Sequence, residues 1–390
     1  MSARHEVAKQ FARTYAQADK ARKGELLDAL AATTGWTRDH SRRAIRQAAL
    51  DHHDAGPRSR KPKPRKYSDD ALAVLQEVWR LTGRPSGKYL AAVMDDILNR
   101  LIRFAELDQV GARLTPEVLD EVRSMSAATI DRYLKPHRVE ARPASPAVPN
   151  LSQILRPSSH VCVAAGRPTG AALLEVKAVA HCGDDPTGEF LWTVAATDPM
   201  TGWTQLRTAA NRSVRDIAAA MDWIAGNVVL PLGGVVVGTG ADEFIRGAVA
   251  DWAHARNVEM VGVPDRGDDL ADSGQRRTGR RGRRARYRTD AERRLLDELW
   301  EVSAARKNHL VPCVKAVGWI QSDVGRKRLY DAPRTPYRRL VEQRGLAPAA
   351  RARLDDEHAR LNPAQITRDI ERVQDELRGI AEPDAEPTAG

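Results

Sequence analysis

The chain has 390 residues, enough for two to four domains and at least one sizeable hydrophobic core. It carries 62 Lys and Arg residues against 52 Asp and Glu residues, and the net charge of +10 favours a polyanionic partner such as nucleic acid. The sequence has no apolar run of membrane-spanning length and no apolar signal core near its first residues, so it predicts no membrane partner.

The three cysteines, Cys162, Cys182 and Cys313, are far apart and form no CxxC or Cys/His pattern at zinc spacing. A disulfide framework is therefore not expected, and the chain is predicted to be cytoplasmic. No cofactor is predicted from these residues.

The first segment, residues 1–54, has the pattern of a helix-turn-helix DNA-binding domain. Gly35 marks a turn between two predicted helices, and Thr37 is a predicted N-cap of the second helix. That helix is rich in arginine, and an exposed basic face of an ordinary helical hairpin is the alternative interpretation. The arginines predicted to contact DNA are Arg38, Arg42, Arg43 and Arg46.

A basic, proline-rich linker is predicted at residues 55–66, where the extended backbone and the charge suit a phosphate backbone. Its predicted DNA contacts are Arg58, Arg60, Lys61, Lys63 and Arg65.

A second helical DNA-binding domain is predicted at residues 67–137, with helices near 68–82, 86–105 and 115–123. A further helix begins in "SMSAATIDRYLKP". Small residues at its start permit close approach to a base edge, which makes Thr129 and Arg132 candidate DNA contacts.

The pattern changes after a second linker, predicted at residues 138–160. Three short β-rich runs are separated by turn residues, and alternating helices and buried apolar strands follow, the last of them "VEMVGVP". This βββ-α-β-α-β order is that of a ribonuclease H-like domain, an α/β fold with a mixed sheet and helices on both faces. We assign it to residues 161–306.

The remaining residues divide into a basic, helical C-terminal region at 307–380 and a tail at 381–390 whose composition is typical of disorder. An arginine-rich run precedes this region, "QRRTGRRGRRARYR". Its candidate DNA contacts are Arg276, Arg277, Arg280 and Arg281.

Four segments together resemble bacterial insertion-sequence transposases with a retroviral-integrase-type core. The segments are "RKYSDDALAVLQEVWRLTGRPSGKYLAAVM", "SAATIDRYLKP", "VAHCG…GEFLWTVAATDPMTGW" and "RKRLYDAPRTPYRRL". The resemblance extends from about residue 20 to 375. It implies helix-turn-helix domains that bind transposon ends in double-stranded DNA, a homo-oligomer on that DNA, and metal-dependent hydrolysis and strand transfer.

The resemblance also implies three carboxylates, because two Mg²⁺ ions need hard anionic oxygens. This chain has Lys177, Thr239 and Gly274 at those positions, although "VAHCG", Glu243 and Phe244 are retained. We therefore expect no intact catalytic or metal site, and a DNA-binding protein that is impaired in catalysis.

Three interpretations of Lys177 remain open: it points to solvent, it pairs with Glu175 or Asp184, or it contacts a phosphate. An active recombinase with relocated carboxylates and Mg²⁺ is the alternative function, and a protein-interaction scaffold is a third. The fallback carboxylates are Asp198, Asp242, Asp268 and Asp272, and Asp269 also lies near the lost positions.

Overall fold

The computed structural model describes residues 3–52, 66–108, 110, 113–140, 170–183, 185–237, 243–262, 285–322, 325–343 and 346–380. The chain divides into two compact units, Met1–Lys66 and Tyr67–Gly390. Over the described residues the fold is mixed α/β, with a mixed four-stranded sheet in the second unit. None of the helices in the described parts of the chain is long and apolar enough to cross a membrane.

The first unit contains three described helices, α1 (Ala3–Gln17), α2 (Lys20–Thr34) and α3 (Arg38–His52). Gly35 ends α2 with φ = 71°, a left-handed conformation that suits glycine, and its N–H donates to the Ala31 carbonyl. The Thr37 hydroxyl accepts from the His40 N–H at 3.3 Å, which confirms the predicted cap. Small and apolar residues close the core between the helices: Ala8, Ala12, Leu27, Leu30, Ile45 and Ala48.

Four helices open the second unit: α4 (Asp69–Leu81), α5 (Gly87–Arg103), α6 (Pro116–Arg123) and α7 (Ala127–Glu140). The first three of these helices begin and end within two residues of the predicted bounds, because a cap residue stands where each apolar pattern begins. Ser68 accepts from the Ala71 N–H, and Thr115 accepts from the Val118 N–H.

The sheet contains β1 (Ala172–Ala180), β2 (Trp192–Thr197), β3 (Thr204–Ala209) and β4 (Leu232–Val237) in the order β3-β2-β1-β4. The first three strands form the predicted antiparallel meander, and β4 is parallel to β1. Helices α8 (Val214–Gly226) and α9 (Glu243–Ala255) flank β4 in the sequence.

The prediction of a buried strand at "VEMVGVP" is wrong over the residues that the structure describes. A single parallel bridge joins Met260 to Val235, and Met260 is exposed. This segment lies beyond β4, and its described hydrogen bonds to the sheet are those that Glu259 and Val261 make with Val235, so little of it is enclosed.

The C-terminal elements are α10 (Asp290–His309), β5 (Ala316–Ser322), β6 (Gly325–Tyr330), α11 (Pro336–Val341), α12 (Pro348–Arg360) and α13 (Pro363–Ile380). The antiparallel pair β5–β6 was not predicted.

Two hydrophobic cores cover the two faces of the four-stranded sheet. The first core contains α4–α7, α10 and α13 together with the sheet face that carries Ala195. The second core packs α8 and α9 against the other face, which carries Val194.

Candidate functional site

The residue at the first expected carboxylate position, Lys177, lies near the middle of the sheet. It is on β1, opposite Ala195 of the antiparallel neighbour. Glu175, two residues earlier, is opposite Thr197 on one side and Val236 on the other. Alternation along the strand places Glu175 and Lys177 on the same face.

Lys177 and Glu175 form an ion pair. The Lys177 Nζ atom is 3.4 Å from the Glu175 Oε1 atom, with 1% of the Glu175 side chain and 33% of the Lys177 side chain exposed. The predicted Glu175 pairing is therefore confirmed. Burial without an opposite charge would make a carboxylate at this position costly, so the lysine has a structural reason to be there.

A second lysine reaches this pair from α10. The pKa of Lys307 is lowered to about 7, chiefly by burial, while Cys313 raises it, the neighbouring Lys177 lowers it and Glu175 raises it. The Lys307 amine donates to the Thr204 hydroxyl. We call Glu175, Lys177 and Lys307 the lysine–glutamate cluster. Lys307 interacts electrostatically with both members of the ion pair, and sequence reasoning missed it.

The described fallback carboxylate, Asp198, is used by the turn between β2 and β3. Its Oδ2 atom accepts from the Thr201 N–H at 3.1 Å and the Thr201 hydroxyl at 2.6 Å, and its Oδ1 atom accepts from the Met200 N–H at 3.2 Å. Burial raises the pKa of Asp198 even though these hydrogen bonds favour the charged form. This carboxylate already serves as the organiser of a tight turn.

Several predicted positions lie outside the described residues, and their roles stay predictions. They are Thr239, Gly274, Asp184, Asp242, Asp268, Asp269 and Asp272. Glu243 begins α9, and Phe244 lies under the Arg212 guanidinium at 4.7 Å. Over the described part of the chain, no group of three His, Cys, Asp or Glu residues is placed to hold a metal ion.

The retained "VAHCG" run has a structural role at the end of β1. His181 is buried, its Nε2 atom is 2.7 Å from the Thr193 hydroxyl, and its ring stacks on Trp300 at 6.2 Å. Burial lowers its pKa to about 4, so the ring is neutral at pH 7. The His181 N–H donates to the Leu191 carbonyl, and the His181 carbonyl accepts from the Tyr287 N–H.

The arginines of α3 are exposed, whereas Ser41 and Ile45 of the same helix are buried. Exposed residues at spacing four form a stripe along the helix: Arg38, Arg42 and Arg46. Ion pairs with acids of the same unit join Arg38 to Asp28 at 3.3 Å, Arg42 to Asp39 at 3.7 Å and Arg43 to Asp39 at 3.2 Å. The stripe is solvent-accessible and basic, as a phosphate-binding surface requires.

Both predicted DNA contacts of the second unit lie on α7, Thr129 in its first turn and Arg132 in the next turn. The Ser126 hydroxyl caps α7 by accepting from the Thr129 N–H at 3.3 Å. Arg132 is exposed, with its guanidinium 5.2 Å from the centre of the Tyr133 ring. Asp131 accepts from the Gly87 N–H at 2.7 Å and thereby joins α7 to the start of α5.

Both basic runs lie outside the described residues. This applies to Arg58, Arg60, Lys61, Lys63, Arg65, Arg276, Arg277, Arg280 and Arg281. Arg286, at the described edge of the second run, donates to the backbone carbonyls of Asp185, Thr187 and Glu189. It therefore holds the turn that follows β1.

A polar cavity of about 320 Å³ lies between α5, α11 and the ends of α10 and α12. Its lining includes His309 and His358, whose rings stack on each other at 5.5 Å. Burial lowers the pKa of His309 to about 3 and that of His358 to about 4. Arginine and acidic side chains line it in equal number, so its charge favours neither an anion nor a cation.

This chain is 27% identical over 267 residues to the uncharacterized protein y4rM of Sinorhizobium fredii, and the match covers 67% of this chain and 72% of that protein. No protein-family model matches. The name of that relative states no activity.

Proposed function

We propose that this protein binds double-stranded DNA and is a transposase-type chain impaired in metal-dependent catalysis. The observation that carries the proposal is the Lys177–Glu175 ion pair on the central strand of the sheet. In the transposases that this sequence resembles, the corresponding strand supplies a metal ligand, whereas in this chain it presents the ammonium group of Lys177.

The strand order supports a ribonuclease H-like core. An antiparallel meander β1–β2–β3 is followed by β4 beside β1, and the bridge at Met260 lies on the far side of β4. This arrangement continues the order 3-2-1-4 with a fifth segment next to β4. Helices on both faces agree with the same fold.

The residues at the expected metal position do not fit Mg²⁺. Two unit charges 4 Å apart interact with roughly 4 kcal/mol at an effective dielectric constant of 20, and an ammonium group repels a divalent ion more strongly. Lys177 adds such repulsion, and Glu175 is already paired with it. We therefore derive no catalytic step through a metal ion.

DNA binding is supported by charge and by two helical surfaces. The net charge of +10 attracts a polyanion. The stripe Arg38, Arg42 and Arg46 is exposed on α3, and Arg132 is exposed on α7. A helix of this kind fits the major groove, while its arginines contact phosphates or guanine edges.

A gel-shift experiment tests the binding half of the proposal. The double variant Arg42→Ala/Arg46→Ala should bind a duplex more weakly than the wild-type chain, because two phosphate-facing charges are removed. The matched control is Arg13→Ala/Lys20→Ala, which removes two exposed charges from α1 and α2. Equal weakening in both variants would contradict a role for α3.

A nicking assay tests the catalytic half. Duplex DNA incubated with the protein and Mg²⁺ or Mn²⁺ should remain uncut. Nicking that disappears in Asp198→Ala would instead support the active recombinase with relocated carboxylates.

A further inference from the structure

The polar cavity of about 320 Å³ beside α5 and α11 takes no part in the proposed function. Its volume equals that of about ten water molecules and lies at the small end of the range for ligand sites. Its described lining comes from the second unit: α5, the ends of α6, α10 and α12, the segment before α11, and α11 itself. The cavity is therefore large enough for a ligand of the size of an amino acid.

Two of the arginines in the described lining are already paired with acidic residues of the same lining. The Arg123 Nε atom is 2.9 Å from the Asp95 Oδ1 atom, and the Arg334 Nη1 atom is 2.8 Å from the Glu342 Oε2 atom. Because these pairs neutralise themselves, the charges that remain for a ligand are those of one arginine and one aspartate.

The remaining arginine of this lining is Arg338 on α11. Its side chain is exposed, and its guanidinium has no ion pair or hydrogen bond within the described part of the chain. A guanidinium of this kind binds a carboxylate through two parallel hydrogen bonds.

The remaining aspartate is Asp96 on α5, and one of its oxygens is available. The Oδ2 atom accepts from the Arg100 Nε atom at 3.0 Å. The Oδ1 atom is 3.9 Å from the His358 Nε2 atom, which is beyond hydrogen-bond distance. This oxygen can therefore accept from an ammonium group.

The two unused charges lie near the same ring. Burial chiefly lowers the pKa of His358, Arg100 lowers it next, Asp96 raises it and Arg338 lowers it. Since Asp96 and Arg338 both act on this ring, a single small ligand can reach both of them. The ring itself is neutral at pH 7 and adds no charge.

We propose that this cavity binds a free α-amino acid, with its carboxylate on Arg338 and its ammonium group on Asp96. Ala91, Met94 and Pro333 also line the cavity and offer surface to an apolar side chain. The ligand is a zwitterion, which agrees with a lining that contains arginine and acidic side chains in equal number. The site is separate from the proposed DNA-binding helices.

Isothermal titration calorimetry of the full chain at pH 7 tests the proposal with three matched compounds. The probe is L-leucine. The compound 4-methylpentanoate lacks its ammonium group, and 3-methylbutylamine lacks its carboxylate. L-Leucine should bind, and each of the other two should bind at least about tenfold more weakly, because it loses one charge-assisted interaction.

A pair of arginine variants identifies the partner of the carboxylate. Arg338→Gln should weaken L-leucine binding about tenfold. The matched control, Arg334→Gln, removes the same charge from a lining arginine that is already paired with Glu342, and it should change the affinity less than about twofold. Thermal unfolding of both variants verifies that they are folded, and the three compounds test the wild-type chain even if a variant does not fold.

Three results would overturn the proposal. The first is the absence of binding at L-leucine concentrations up to about 10 mM. The second is equal affinity for L-leucine and either of the other compounds, which would indicate a site for an anion or a cation alone. The third is equal weakening by the two arginine variants. None of these results affects the proposed function, because DNA binding is measured separately.

Discussion

The ammonium of Lys177 lies 3.4 Å from the carboxylate of Glu175, two residues earlier on the central strand of the sheet. Glu175 is almost completely buried, and Lys307 from α10 adds a second amine whose pKa burial lowers to about 7. The Lys307 amine donates to the Thr204 hydroxyl and so joins α10 to β3. The lysine–glutamate cluster also makes this part of the sheet unsuited to a divalent metal ion.

A double-mutant cycle should measure the ion pair. Lys177→Met is expected to lower the free energy of unfolding by about 2 kcal/mol, because it leaves the buried Glu175 carboxylate without its ion-pair partner. Glu175→Gln should cost less, about 1 kcal/mol, because the lysine that loses its partner is partly exposed and can be hydrated. Urea unfolding of the two single variants and the double variant would show a coupling of about 1 kcal/mol. Additive effects would contradict the pairing.

Lys307 should make stability depend on pH in the alkaline range. Its pKa in the folded state, about 7, is below the ordinary value of 10.5, so between these values the unfolded chain binds the extra proton. Stability attributable to this group therefore rises with pH from about 7 to about 10.5. Lys307→Met should stabilise the chain, and this gain in the free energy of unfolding, measured with urea, should be about 2 kcal/mol larger at pH 7 than at pH 9. An equal effect at both pH values would contradict the burial of a titrating amine.

His181 should make the free energy of unfolding depend on pH in the acidic range. Its folded-state pKa of about 4 is below the ordinary 6.5, so the unfolded chain binds more protons between these values and stability is lost as pH falls. The slope due to one such group is about 1.4 kcal/mol per pH unit. Unfolding of wild-type and His181→Gln proteins at pH 4.5, 5.5 and 6.5 should show a shallower decline in the variant, and parallel curves would disprove this assignment.

The approach of α5 to α7 depends on Gly87. A Cβ atom there would lie 2.3 Å from the Ala127 carbonyl oxygen, so Gly87→Ala should destabilise the chain by about 1–3 kcal/mol. Gly247 in α9 is a matched control, because its Cβ atom would meet nothing within 4 Å. Gly247→Ala should stabilise by about 0.5–1 kcal/mol through helix propensity. Thermal unfolding distinguishes the two, and the same sign in both would contradict the packing described.

Local signals predicted the local structure well. The starts of α4 and α8 follow from the cap residues Ser68 and Ser213, and the meander follows from period-two runs between turns. The Glu175 pairing of Lys177 was predictable because both residues lie on one strand face. The position of Lys307 was not predictable, since the contact of its amine with Thr204 depends on how α10 packs across the sheet. The β5–β6 pair was not predicted because the basic sequence of β6 lacks the apolar alternation of a half-buried strand.

The central claim, electrostatic binding of duplex DNA by this chain, is tested most directly by an anisotropy titration of the full-length protein at several salt concentrations. With several phosphates neutralised, the affinity should fall by at least about a hundredfold between 50 and 200 mM salt. An affinity that is unchanged over this range, or no measurable binding at 50 mM salt, would contradict the account.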